Sequence, residues 1–121
     1  MQYNNIFITI ATVNFDNLVN FYIQLLEQEP KNLIPDVYAE FQISSLCLGI
    51  FKPKQNYESE FAVNTKSSLS LCLEVDNLES AIAHLQSLGY PLPGDISTAS
   101  HGREIYTYDP DGNRLILHQS H

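Results

Sequence analysis

The chain has no tryptophan, one methionine and only five glycines in 121 residues. Collagen-like and low-complexity architectures are thereby excluded. Cysteine is equally scarce: Cys47 and Cys72 stand alone, with no CxxC pair. Two thiols make neither a disulfide scaffold nor a zinc knuckle, and they read as buried and reduced. Positive charge is short as well, with 6 Lys and Arg against 14 Asp and Glu and a formal net charge of -8. Such a field repels phosphate backbones, and no basic stripe offsets it, so nucleic acid is excluded as a partner. The acidity itself reads as a device for solubility. No apolar run approaches the ~18 residues that a membrane span needs. The opening "MQYNNIFITI" lacks a basic start and a small-residue cleavage site, so no secretory signal is expected and the default location is the cytoplasm.

What is present is apolar content of 44%, enough for a core in one compact domain or two small packed modules. "NIFITIAT" alternates, with Ile6, Ile8 and Ile10 on one face and Phe7, Thr9 and Ala11 on the other, which predicts a strand. "NFDNLVNFYIQLLEQEP" follows, with Leu18, Phe21, Tyr22, Leu25 and Leu26 at helical spacing. Asn14 or Asp16 is placed to cap this helix and Pro30 to end it. "VYAEFQISS" and "LCLGIFK" then read as strands, the second with Leu46, Leu48 and Ile50 on one face and Cys47, Gly49 and Phe51 on the other. A polar stretch, "PKQNYESEFAVNTKSS", reads as a surface linker.

Then the pattern restarts. "LSLCLEV" sets Leu69, Leu71, Leu73 and Val75 against Ser70, Cys72 and Glu74. In "DNLESAIAHLQSLGYP", Asp76 and Glu79 have the spacing of a capping box, and Leu78, Ile82, Leu85 and Leu88 form the buried stripe. Gly89 suits the left-handed position after the helix, and Pro91 blocks continuation. "STASHGRE" reads as a loop. "REIYTYD" and "NRLILHQ" read as strands joined by "DPDGN", where Pro110 and Gly112 supply turn chemistry. Both halves thus run strand, helix, strands. Each sheet has one face for its helix, and the other must meet a partner or enclose something.

The first strand, "FYIQLLEQEP", the second strand–helix unit and "DPDGNRLILHQ" together resemble the vicinal oxygen chelate superfamily, the group of glyoxalases, bleomycin-resistance proteins and extradiol dioxygenases. The resemblance runs over essentially the whole chain. It implies an α+β, glyoxalase-like fold in which two βαβββ modules pair their sheets around an open cleft. On this reading residues 1–121 form a single glyoxalase-like domain, with module one about 1–55, a linker about 52–67 and module two about 68–121. The resemblance also implies a homodimer and, in the metal enzymes, a divalent ion held by His, Glu or Gln at inward strand positions. Those positions fall on Phe7, Gly49, Ser70 and Ile116. None is a competent ligand set for zinc or for a hard divalent ion, so no metal and no cofactor is expected.

The face opposite the helices is expected to line the cleft. In the first module it carries Phe7, Thr9, Cys47, Gly49 and Phe51, with Gly49 and Thr9 leaving open space. In the second it carries Ser70, Cys72, Glu74, Ile116 and His118. Apolar surface with a few convergent polar groups is the composition of a small-molecule pocket. His118 reads as a general base or a donor to an anionic ligand, or as a partly solvated histidine without a role. Glu74 reads as a buried acid with raised pKa or as a solvated carboxylate at the rim. Arg103 reads as a clamp for a carboxylate or phosphate, or as a partner of Glu104 or Asp109. His84 is expected to be exposed and His121 mobile.

The leading reading is a metal-independent binder of a small organic molecule, closer to the bleomycin-resistance branch than to an enzyme. His118 and Glu74 are the catalytic candidates if a reaction occurs. The alternative is a metal-dependent lyase, isomerase or dioxygenase with relocated ligands Glu74, His101 and His118.

Overall fold

The computed structural model describes residues 1–62, 67–90, 92 and 94–121. The chain divides into two units, Met1–Ala62 and Val63–His121. The expected stop at Pro91 and part of the expected linker lie outside the described residues.

In the first unit β1 (Ile8–Ala11) is followed by α1 (Phe15–Leu26), β2 (Asn32–Ile34), β3 (Tyr38–Ile43) and β4 (Leu46–Phe51). The sheet order is β1-β4-β3-β2, with β1 parallel to β4 and the other pairs antiparallel. The first and last strands are therefore neighbours. Helix α1 buries Phe15, Leu18, Val19, Phe21 and Tyr22, and β3 and β4 bury Ala39, Phe41, Leu48 and Ile50. Tyr22 meets Phe41 with ring centroids 6.4 Å apart. The apolar stripe of the helix and the even–odd alternation of the strands thus select one common core.

Three local expectations change. The parallel ladder starts at Ile8 opposite Leu48, so Ile6 and Phe7 lie before β1 and are exposed. Neither Asn14 nor Asp16 caps α1 through its side chain. Thr12 Oγ1 instead accepts the Asn14 N–H at 3.0 Å. The helix ends at Leu26 because Glu27 turns left-handed (φ 53°) and donates its N–H to the Ile23 carbonyl, three residues before Pro30. The linker begins with a short 3-10 turn at Gln55–Tyr57.

The second unit repeats the plan: β5 (Leu71–Glu74), α2 (Leu78–Ser87), β6 (Ser97–Ala99), β7 (Gly102–Tyr108) and β8 (Arg114–Ser120), in sheet order β5-β8-β7-β6. Again the first and last strands pair in parallel, Glu74 standing opposite His118. The layout is α+β with two βαβββ units, as the resemblance implied. Leu78 and Leu85 of α2 and Ile105, Leu115 and Leu117 of the sheet are buried. "STASHGRE" is not all loop, since β6 pairs antiparallel with β7 and Ser100–His101 makes the turn between them.

The "DPDGN" hairpin is built around Asp109. Its Oδ1 accepts the N–H groups of Asp111 and Asn113, and its Oδ2 accepts the Asn113 side-chain amide. Those bonds make its burial tolerable. Gly112 supplies φ 89° to close the turn. Gly89 takes φ 87° after α2, as its position implies. The cap of α2 is Asn77 and not Asp76, because Asn77 Oδ1 accepts the Ser80 N–H at 2.8 Å. Asn77→Ala is therefore expected to cost about 1 kcal/mol in urea denaturation, and Asp76→Ala less than about 0.5 kcal/mol.

Candidate functional site

In the second unit alternation directs Cys72, Glu74, Glu104, Ile116 and His118 to the sheet face opposite α2. The ladder sets Glu74 opposite His118, Cys72 opposite Ile116 and Glu104 opposite His118. His118 Nδ1 lies 2.5 Å from Glu74 Oε2. The other oxygen of Glu74 accepts the Ser120 N–H at 3.0 Å and the Ser120 hydroxyl. The Ser120 hydroxyl, with His118 beside it, holds the Glu74 carboxyl below its usual range. A buried acid with raised pKa is thus not what Glu74 is. It is a half-exposed carboxylate, fully engaged.

His118 has a second nitrogen, and it is left over. Nε2 is buried and has no partner among the described residues. The His101 ring stacks on His118, with centroids 4.9 Å apart and planes 11° apart. One ligand-type atom each from His101, Glu104 and His118 falls within 4.8 Å of the others. The expected grouping of Glu74, His101 and His118 is thereby altered: Glu74 stands behind His118, and Glu104 stands in front. Glu104 was not among the expected site residues. Its place follows from counting back through the hairpin, since Tyr108 pairs with Arg114 and so Glu104 must face His118.

Arg103 leaves this face. Its guanidinium forks onto both Glu79 oxygens at 2.6 and 2.9 Å and touches Gln119 Oε1 at 3.2 Å. Gln119 Oε1 also accepts the Leu78 N–H at 2.7 Å. Arg103 and Gln119 therefore tie the sheet to the first turn of α2, and neither Glu104 nor Asp109 is the partner of Arg103. Cys72 is exposed and not buried as expected, while Cys47 is buried. Partial burial, then the Glu74 and Glu104 carboxylates, push the Cys72 thiol up. His84 is half-buried, and His121 contacts the Ala99 carbonyl at 3.0 Å.

In the first unit the face opposite α1 is arranged by Tyr38. Its ring lies over Gly49, where an added Cβ would meet Tyr38 Oη at 3.0 Å. The open space expected at Gly49 is filled by that phenol. Tyr38 Oη donates to Glu40 Oε1 at 2.8 Å. Burial, with Glu40 beside it, pushes the phenol up to about 12. Glu40 also receives Asn32 Nδ2 at 3.0 Å. Next to this cluster lies an open, groove-like cavity of about 430 Å³, lined by Val37, Tyr38, Phe51, Lys54, Tyr57 and Phe61. Phe51 and Phe61 meet edge to face at 5.2 Å. Phe51 is the expected cleft residue that reaches this cavity. Thr9, Cys47 and Gly49 share its sheet face without lining the cavity. Phe7 lies outside the ladder.

The four strand positions at which the resemblance implies a metal do not fit one. Phe7 and Ile116 have no donor atom, and the side-chain space at Gly49 belongs to Tyr38. Ser70 precedes β5, and its hydroxyl accepts Arg114 Nη1 at 3.0 Å. A cation so close to that oxygen opposes a second one.

No family model and no curated protein matches the chain in sequence. Solved structures do match it in shape, and they define the class first: the glyoxalase and bleomycin-resistance fold. A glyoxalase / bleomycin resistance protein from Catenulispora acidiphila aligns with TM-score 0.72 at 21% identity, covering 97% of this chain and 98% of its own. A bleomycin resistance determinant encoded on the transposon Tn5 aligns at 0.66 and 20%, covering 98% of each chain. A fosfomycin resistance protein, FosX, from Listeria monocytogenes aligns at 0.75 and 16%, covering all of this chain and 96% of its own. Identities this low establish the fold and not the activity.

Because its folded-state value is lowered, Glu74 contributes stability above the ordinary carboxylate range. That contribution is lost as pH falls through the folded value. Glu74→Gln is expected to show a shallower loss of stability than wild type as pH falls below about 5, read from urea midpoints across a pH series.

Proposed function

We propose that the protein binds a small, flat organic molecule bearing an acidic group, and does so without a metal at the strand positions of its fold relatives. The carrying observation is the open, groove-like cavity of about 430 Å³ lined by Tyr38, Phe51, Tyr57, Phe61 and Lys54. That volume falls in the range of small-molecule sites, about 300–1,000 Å³, and aromatic walls supply large contact area. Lys52 is spent on Asp36 at 3.1 Å, whereas Lys54 forms no ion pair among the described residues. It is the group available to an anionic ligand. Two fold neighbours are named for resistance to bleomycin and to fosfomycin, both small organic molecules.

The same reading places the protein in the cytoplasm as a homodimer, with no nucleic-acid or membrane partner. No helix among the described residues is long and apolar enough to cross a membrane. A lyase, isomerase or dioxygenase using Glu74, His101 and His118 as metal ligands is less well supported. Both Glu74 oxygens are already committed, one to Ser120 and one to His118 Nδ1.

Anilinonaphthalene sulfonate, a flat aromatic anion, is the first probe. We expect saturable binding at one site by fluorescence titration. Phe51→Ala and Tyr57→Ala should each weaken it at least about tenfold, ~1.4 kcal/mol, with His118→Ala unchanged. Non-saturable binding, or affinity indifferent to Phe51 and Tyr57, defeats the reading.

A further inference from the structure

We propose that His101, Glu104 and His118 form a binding site for a divalent transition ion of borderline softness, such as zinc, cobalt or nickel. The site lies within the second unit and is independent of the aromatic cavity, so either can fail alone. It does not use Phe7, Gly49, Ser70 or Ile116.

Four observations converge. The first is the donor set: two imidazoles and a carboxylate with ligand atoms inside 4.8 Å of one another. Imidazole with carboxylate suits zinc and its neighbours in the transition series. A tetrahedral zinc needs ligand atoms about 3.4 Å apart, given bonds of about 2.0–2.1 Å. His101 is exposed in the two-residue turn before β7, and its ring must turn out of the stack on His118 to close that gap and point its nitrogen at the ion.

The second is the state of His118. Glu74 contacts Nδ1, which fixes the proton there in the neutral ring and leaves the Nε2 lone pair unprotonated. A carboxylate behind a histidine is the usual support for a metal-ligating imidazole, because it sets the tautomer and raises basicity. The third is that Nε2 is buried with no partner among the described residues. A buried lone pair without a donor is costly, and an ion satisfies it.

The fourth is close approach of the backbone. Gly102 adjoins the ring, and an added Cβ there would stand 2.9 Å from His118 Nε2 and 2.3 Å from the Gln119 carbonyl oxygen, so only glycine brings this strand against the ring. Its φ of 154° also disfavours other residues. His101 and Glu104 flank this glycine along the chain, so the backbone itself brings two ligands to the third. Three protein ligands with one exposed member leave an open coordination position for solvent or a small ligand.

The test uses the untagged 121-residue chain, freed of metal with chelator and titrated with Co²⁺. We expect one ion per chain and visible bands of a low-coordinate, nitrogen-containing site. Zn²⁺ should displace the cobalt. His101→Ala, at an exposed turn, should weaken binding at least about tenfold without changing the fold. Glu104→Gln should do the same, and Glu74→Gln should cost about 10–100-fold through His118 alone. His121→Ala should bind like wild type. If His118→Ala does not fold, a shift of the His118 ring ¹⁵N resonances in wild type on adding Zn²⁺ reads the same ligand directly. An octahedral, water-like cobalt spectrum overturns the proposal, as does binding that survives His101→Ala and Glu104→Gln or resides on His121.

Discussion

Parallel pairing of the first and last strands is the constraint on which each unit depends. β1 lies against β4 and β5 against β8, and in each unit the chain leaves through a helix and runs through two further strands before it closes. That return fixes which face of the sheet the helix covers. It also sets residues far apart in sequence side by side. Glu74 meets His118 only because β5 and β8 are neighbours, and the helix-covered core of Leu115, Leu117 and Ile105 holds that register.

Slippage by one residue would turn His118 toward α2 and Gln119 away from it. The structure guards against that on the other face as well. Gln119 accepts the Leu78 N–H and Arg103 forks onto Glu79, so polar groups fix the register at the helix start. Arg103 and Gln119 thus serve the site by position. They keep the even-numbered residues of β7 and β8 on the outer face.

Much of this was legible in the sequence where period and turn chemistry agreed. The strand–helix–strands order of each half and the Asp109 hairpin follow from alternation, helical spacing and "DPDGN". What escaped were features set by register. Arg103 shares parity with Ile105 and had to face the helix. Glu104 shares parity with His118 across the hairpin. Both facts need the turn counted residue by residue, and neither shows in composition. Short edge strands such as β2 and β6 carry almost no periodic signal at three residues each. The ring of Tyr38 over Gly49 was beyond reach, because it depends on a diagonal contact between strands. The exposure of Cys72 escaped for a different reason: an outer sheet face buries a thiol only if something covers it.

The hairpin has a consequence for the order in which the chain acquires its parts. His101, Glu104 and His118 all lie on one segment around the Asp109 turn. Glu74 lies 44 residues from His118. Closing that longer loop costs about 2 kcal/mol more in chain entropy than closing a turn of roughly five residues. A chain that has formed only its last hairpin already carries the three ligand side chains in register, while the carboxylate that sets the tautomer of His118 has yet to arrive. Metal captured at that stage would meet an imidazole still free to choose its proton, so the ion and the last parallel ladder would compete or cooperate through one ring.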